Sequence, residues 1–255
     1  MNRLCADQGL AVTIRAGAHW SAETARGVAE AVNRSSAMHN GQMRSVQPML
    51  SLWDTPVPGY RDRLVARSSD RVAWLKARSR GITATDAARL SGAASVSAVV
   101  LDKVHGSGFG GNAYTDHGRV REPEIARWVQ GTYGIAPSDA LFHAHGQRAH
   151  LATPDGVGGT DEAGILLAEI KTTKFAWASI PRSYLRQVWW QQYVVGAERT
   201  LLVWEQHLDF VPVDPVPECR WIDRDENEIH RLIRLADQVL EQVHAARVSF
   251  GDSAR

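Results

Sequence analysis

Cysteine is nearly absent. The 255 residues hold only Cys5 and Cys219, far apart in sequence, a supply that suggests neither a disulfide framework nor a zinc knuckle and points to a reducing compartment. Long apolar runs are missing too. None approaches the roughly 20 residues that a membrane-spanning helix needs. The opening residues, MNRLCADQGLAVTIRAG, lack the basic start, long apolar centre and small-residue exit of a secretion signal, so a cytoplasmic location is expected. Neither sign of charge is in excess: 29 Lys and Arg against 28 Asp and Glu leave +1, which announces no polyanionic partner for the chain as a whole. The glycine-dense run Gly106 to Gly111 has no Gly-Lys-Ser/Thr after it, which excludes the P-loop pattern. It reads as a flexible loop. No internal repeat is evident.

The length suits one large domain with appendages. Residues 1–50 read as an N-terminal extension of unknown role containing a helix over Ser21 to Asn33. A loop punctuated by Pro56, Pro58 and Gly59 then leads into the main domain, residues 51–255. Positive charge gathers locally at Arg61, Arg63, Arg67, Arg71, Lys76, Arg78 and Arg80 against only Asp62 and Asp70. Such a cluster is either the footprint of a phosphate-tracking groove or a solvated helix face.

Local signals predict the elements. Ser68-Ser69-Asp70 caps a helix through Val72, Trp74 and Leu75. Thr83 or Thr85 caps the next, over Asp86 to Leu90, and the first turn of such a helix offers free N–H groups to an anion. A short helix over Ser97 to Val104 begins at Ser97. His117 to Trp128 reads as an amphipathic helix with Ile125, Trp128 and Val129 inward. Glu122 and Glu124 near its start suit the helix dipole. Leu141–His145 and Arg148–Ala152 form a hairpin turned at Gly146-Gln147. Its His143, His145 and His150 lack the further ligand that would complete a tetrahedral metal set, and read as surface or packing residues. Tyr184 to Tyr193 is a helix whose Tyr184, Gln187 and Gln191 share a face, turned either to solvent or to a cleft. Thr200–Gln206 is a buried strand, Asp209–Pro217 is Pro-rich and edge-like, and Asp223–Val248 is a long closing helix.

The chemistry concentrates between His150 and Thr173. Pro154-Asp155-Gly156 precedes a Gly-rich turn, and Leu166 to Lys171 reads as a strand. Alternation along a strand sends Glu169 and Lys171 to one face and Ile170 to the core. Two carboxylates beside a lysine suit a hard divalent cation such as Mg²⁺, which takes oxygen ligands and completes its shell with water and phosphate. The lysine can then hold or help deprotonate an attacking water. Taken alone, the same residues also fit a polar turn and a solvated strand edge.

In chain order, these pieces resemble the lambda-exonuclease-like family (YqaJ-type viral recombinases) of the PD-(D/E)xK nuclease superfamily. The likeness runs from Trp74 to about Gln206. It rests on AWLKAR at 73–78, GITATD at 81–86, Gly118…Glu122-Pro123, ATPDG at 152–156, Glu169-Ile170-Lys171 and YLRQ at 184–187. The resemblance implies an α/β fold, a restriction-endonuclease-like core with a mixed central sheet flanked by helices and the site at the end of a hairpin. It implies that Asp155, Glu169 and the carbonyl of Ile170 hold Mg²⁺ or Mn²⁺. Lys171 would serve the nucleophile, Glu122 would add a carboxylate, and Gln187 would support the site from behind. A 5′-phosphate pocket would use Arg78, Thr85 and Thr153, with Thr at both hydroxyl positions where the family usually has Ser. Lys174 and Arg182 are candidates for a further basic residue of that pocket.

The implied reaction is 5′→3′ hydrolysis of linear duplex DNA with free ends, in phage-type recombination or repair. A single-strand annealing protein would be the partner, a homotrimer the assembly, and no membrane would be involved. Three other readings stay open: a repair endonuclease on the same core, a non-catalytic DNA-binding module, and an unrelated α/β protein with a chance motif.

Overall fold

The computed structural model describes residues 59–106, 112–160 and 163–252. The expected extension over 1–50 with its helix, Cys5, the prolines at 56 and 58, and most of the glycine-dense loop (107–111) lie outside the described residues.

Helices begin where a short polar side chain can take a free amide. Helix α1, Arg71–Arg80, is capped by Asp70, which accepts from Ala73 N at 3.1 Å. Helix α2, Ala84–Arg89, is capped by Thr83 in a reciprocal box with Asp86, so Thr83 and not Thr85 holds the cap. Helix α3, Ala93–His105, starts four residues before the expected Ser97. Ser95 Oγ closes its start by accepting from Ser91 N and Gly92 N. Helix α4, Ala113–Tyr133, runs from an Asn112 cap to Gly134, whose φ of 71° allows the left-handed turn that ends it. Helices α5, Arg182–Val195, and α6, Glu226–Asp252, complete the set among the described residues.

The strands form two sheets. Strands β1 (Leu64–Arg67), β3 (Ala140–Ala144) and β4 (Gln147–Ala152) pair antiparallel in the order β1-β3-β4. The central mixed sheet contains β2 (Ala136–Pro137), β5 (Gly156–Thr160), β6 (Gly164–Thr173), β7 (Arg199–Leu208), β8 (Val211–Pro212) and β9 (Glu218–Asp223). Its order is β2-β5-β6-β7-β8, with β9 also on β7. The expected hairpin is present, but it builds a sheet of its own.

The segment read as a Gly-rich turn is strand β5, antiparallel to β6 from Gly156↔Ala168 to Thr160↔Gly164. Glycine disguises it because the strand is squeezed. A Cβ at Gly156 would lie 3.0 Å from both Ala168 Cβ and Ile135 Cγ2.

Strands β6 and β7 are parallel, with α5 crossing between them. Alternation divides their side chains between two cores. Ile165, Leu167, Leu202 and Trp204 pack in a cluster with Val188 and Trp190 of α5 and Leu232 and Val239 of α6. Ala168, Ile170, Leu201 and Val203 pack with Ile125 and Val129 of α4. Each large apolar side chain buried here contributes about 1.5–3 kcal/mol relative to exposure.

The hairpin histidines behave as packing and surface residues. His150 is fully buried against Trp190, with Nδ1 3.1 Å from Tyr193 Oη and Nε2 3.3 Å from Asp237. Burial pushes its imidazole down to about 4, against the pull of Asp237. His143 Nδ1 lies 2.8 Å from Ala144 O, and His145 is exposed.

Candidate active site

Period two along β6 continues the Ile165–Leu167 face into Glu169, and that face meets α5. A carboxylate there is buried, 1% exposed, and must be matched by donors. Three converge on it. Lys171 Nζ and Gln187 Nε2 both donate to Oε1, and Gln191 Nε2 donates to Oε2 at 2.6 Å. The glutamine face of α5 therefore looks inward. Gln191 is wholly buried and joins the site, a role that sequence reading left undecided. The clue was present: Gln187 and Gln191 are four apart, one helical turn, as a shared target requires.

Asp155 enters from the β4–β5 connection, fixed by its own backbone: its N–H donates to Ala168 O at 3.1 Å and its carbonyl accepts from Ser138 N at 2.9 Å. Its Oδ2 accepts from Ile170 N at 2.7 Å. Glu122 arrives from α4, exposed to solvent. It lines two clefts: one of about 450 Å³ with Gly118, Ile170, Lys171 and Thr172, and one of about 290 Å³ with Ser138, Asp139 and Asp155.

The electrostatics show that these groups act on one another. Burial lifts the Asp155 carboxyl well above its usual range, and the charges of Glu169 and Glu122 lift it further. Glu122 is raised for the same reasons, by partial burial and then Glu169, against the pull of Lys171. Burial works against the Lys171 ammonium, yet Glu169 and Asp155 hold its pKa above the ordinary lysine value. Three carboxylates thus crowd one lysine. This is a shortage of positive charge of the kind a divalent ion corrects. Among the described residues no group of three or more His, Cys, Asp or Glu side chains is placed to hold a metal ion by itself.

The residues expected to bind a 5′-phosphate are placed as follows. Arg78 on α1 stacks on Trp74 at 4.2 Å, with Arg71 also over that ring at 4.7 Å. Burial lowers its pKa, Asp86 opposes that shift, and Arg71 adds to it. Thr85 is exposed. Thr153 carries a buried hydroxyl with no hydrogen-bond partner. Parallel pairing of Ile82 with His150 runs the chain entering α2 in the same direction as β4, toward Thr153.

The start of α2 differs from expectation. Asp86 occupies it, accepting from Thr83 N and Oγ1 at 2.8 and 2.7 Å and from Lys103 Nζ at 2.7 Å. The carboxylate takes the Thr83 amide, the Thr83 hydroxyl takes that of Asp86 at 3.3 Å, and Lys103 offsets the carboxylate's charge. Neither candidate for the further basic residue joins Arg78. Arg182 pairs with Glu228 at 2.7 Å and lies over Trp189, and Lys174 lies over Tyr114 and Phe175. Arg71 shares the Trp74 ring with Arg78, and Lys103 donates to the Arg78 backbone carbonyl at 3.2 Å.

No helix among the described residues is long and apolar enough to cross a membrane. No curated protein matches the chain. Among solved structures, the alkaline exonuclease LHK-Exo from Laribacter hongkongensis is similar at 23% identity and TM-score 0.56, over 71% of this chain and 96% of that one. The same enzyme in complex with dAMP is similar at 22% identity with the same TM-score and coverage. A phage-related exonuclease from Haemophilus somnus 129PT gives TM-score 0.53 at 12% identity, over 67% of this chain and 96% of its own. At such identities the likeness is one of fold, a mixed sheet flanked by helices. Residues 73–198, which carry Asp155, Glu169, Lys171, Glu122 and the α5 glutamines, match the family model of the YqaJ-like viral recombinase domain, and to that family this domain belongs.

Proposed function

We propose that the protein is a divalent-metal-dependent deoxyribonuclease that digests linear duplex DNA from its ends, 5′→3′. The observation that carries the reading is the convergence of Asp155, Glu169 and Glu122 on Lys171 beside an open cleft. The crowded carboxylates fit a hard cation: Asp155 keeps Oδ1 clear of hydrogen bonds among the described residues, and its neighbours raise its pKa for want of positive charge. Asp155, Glu169 and the Ile170 carbonyl would hold Mg²⁺ or Mn²⁺. When bound, the ion supplies Lewis-acid activation of water and charge neutralisation at the phosphate.

The protein's own groups do the rest. Glu169 and Asp155 favour the charged form of Lys171, which would orient the attacking water and offer charge to the phosphate. Gln187 and Gln191 fix the Glu169 carboxylate through both oxygens. Glu122 stands at the junction of the two clefts, where it can hold water against the scissile phosphate. Arg78 and the partnerless Thr153 hydroxyl support recognition of a terminal phosphate, with Thr85 at its edge. Family resemblance extends the proposal to a toroidal trimer working beside a single-strand annealing protein.

The test is degradation of linear duplex DNA with 5′-phosphate or 5′-hydroxyl ends in Mg²⁺ or Mn²⁺, beside a closed circle and the Lys171→Ala variant. Loss of linear DNA alone, faster with 5′-phosphate and absent in the variant, is the expected result. Cutting of the circle would establish an endonuclease on the same core. No metal-dependent cleavage would leave a DNA-binding module.

A further inference from the structure

One edge of the larger cleft is aromatic. Tyr114, in the first turn of α4, lines that cleft together with Lys171 and Glu122. Behind it the β7–β8 turn brings up His207 and Phe210. Tyr114 lies 5.4 Å from Phe210 and 6.1 Å from His207, centroid to centroid, and His207 and Phe210 stack at 5.5 Å with 20° between planes. His117, one turn along α4, meets His207 edge-on at 4.5 Å. Lys174 Nζ stands 5.3 Å from the Tyr114 centroid. None of the four rings has a part in the metal or 5′-phosphate assignments above.

Three features separate this cluster from ordinary packing. Its outer rings are left in water: Tyr114 is 48% and Phe210 43% exposed. The turn that presents Phe210 is strained, since Asp209 and Phe210 adopt φ of 48° and 67° with no glycine at either position. Leu208 pairs with Val211 across it, so the hairpin itself asks for positive φ at both centres, and a Phe there costs on the order of 1–3 kcal/mol. Finally, His117 Nε2 and His207 Nδ1 are buried with no hydrogen-bond partner, a double cost that nothing in the packing repays.

We propose that Tyr114 and Phe210, backed by His117 and the buried His207, form a stacking site for an unpaired nucleobase of the DNA strand whose phosphate enters the cleft, with Lys174 beside it to meet the backbone. The inference rests on the nuclease reading for the identity of the strand. Flat exposed rings beside a cation match the chemistry of a base and its phosphate: every base offers a π-face, so stacking tolerates any sequence.

The experiment uses the full chain, free of metal so that nothing is cleaved. Fluorescence anisotropy at fixed salt follows two probes, a 5′-phosphorylated single-stranded dA 12-mer and the same backbone made abasic. Tyr114→Ala and Phe210→Gly are each expected to weaken the adenine 12-mer roughly 5- to 100-fold, the worth of one stacked base, and to leave the abasic strand unchanged. Tyr114→Phe keeps the ring and should restore binding. Phe210→Gly suits the positive φ and relieves the turn, so a folding defect is not the expected explanation of its loss. Equal losses on both probes would mean that the site reads phosphate alone, and unchanged binding to either would mean that the rings serve something else; both results overturn the proposal. The two readings fail separately. Base-dependent binding in a protein that cleaves nothing removes the nuclease and leaves the stacking site, whereas end-dependent digestion with ring-independent binding does the reverse.

Discussion

Two buried glutamates on adjacent parallel strands make an instructive pair. Glu205 on β7 and Glu169 on β6 are 4% and 1% exposed, and each has a cation against it. Glu205 receives the Arg121 fork through two bonds of 2.9 and 2.6 Å, one from Nε and one from Nη2. That bidentate match satisfies both oxygens, and Glu205 is foremost in holding the Arg121 pKa up. The extra carboxylate there, Glu124, is half exposed, and water screens it. Glu169 is bonded as fully, but by one lysine and two neutral amides, while Asp155 and Glu122 press on the same lysine. Burying a carboxylate is therefore not what marks a site. Glu205 ties α4 to the sheet, and Glu169 is held in charge deficit that only something from outside can relieve.

The comparison breaks most sharply by neutralising each glutamate in turn. Glu169→Gln should cut single-turnover cleavage roughly a thousandfold, since several kcal/mol of charge stabilisation depend on it, with little loss in the urea midpoint. Glu205→Gln should do the opposite. It leaves the partly exposed Arg121 guanidinium with Glu124 and a neutral amide, a change worth about 1–3 kcal/mol of stability, and the molecules still folded should cleave within a few-fold of the parent rate. Equal effects of both changes on rate and on midpoint would erase the distinction. A smaller effect is expected at Gln191→Leu. Its amide orients Glu169 without meeting substrate, and loss of such support typically costs 10- to 100-fold in metal affinity or activity. Isothermal titration with Mn²⁺ would read it, and an unchanged affinity would reduce Gln191 to packing.

How much of this was legible in the sequence depends on how local the cause was. The Asp70 cap, the β3–β4 hairpin and the alternation that buries Ile170 are set within a few residues, and the structure has them. Strand β5 was hidden because its glycines answer to Ile135 and Ala168, which approach from elsewhere in the chain. The hairpin could be read but not the sheet it joins, since β1 pairs with it from 70 or more residues away. At the site, strand alternation gave the shared face of Glu169 and Lys171, and the family resemblance gave the roles expected of them. The inward turn of Gln187 and Gln191 depends on where α5 lands after its crossover, so period 3.6 gave the shared face and not its direction. For Lys174 and Arg182, nearness in sequence to Lys171 says nothing of the rings of Tyr114 and Trp189 that lie against them.

The smallest expected effect sharpens the same contrast. Burial and neighbouring carboxylates raise the pKa of Asp155 and Glu122 in the folded protein. A carboxyl whose folded pKa exceeds its unfolded value binds more protons in the native state across that window, so stability falls as pH rises through it. The repulsion grows as pH rises through that range and is relieved on acidification. Glu122→Gln removes one of the three charges. Because Glu122 is exposed, the gain should stay below about 1 kcal/mol, or roughly 1–3 °C in Tm for a chain of this size, measured at pH 7.5 without metal. The gain should shrink as pH falls through the raised carboxyl range. Mn²⁺ should shrink it as well, by supplying in the parent the positive charge that the substitution makes less necessary, and the variant should cleave more slowly. A metal-free variant no more stable than the parent at pH 7.5 would show that Lys171 already balances the cluster, and Glu169 would then be neutralised as completely as Glu205.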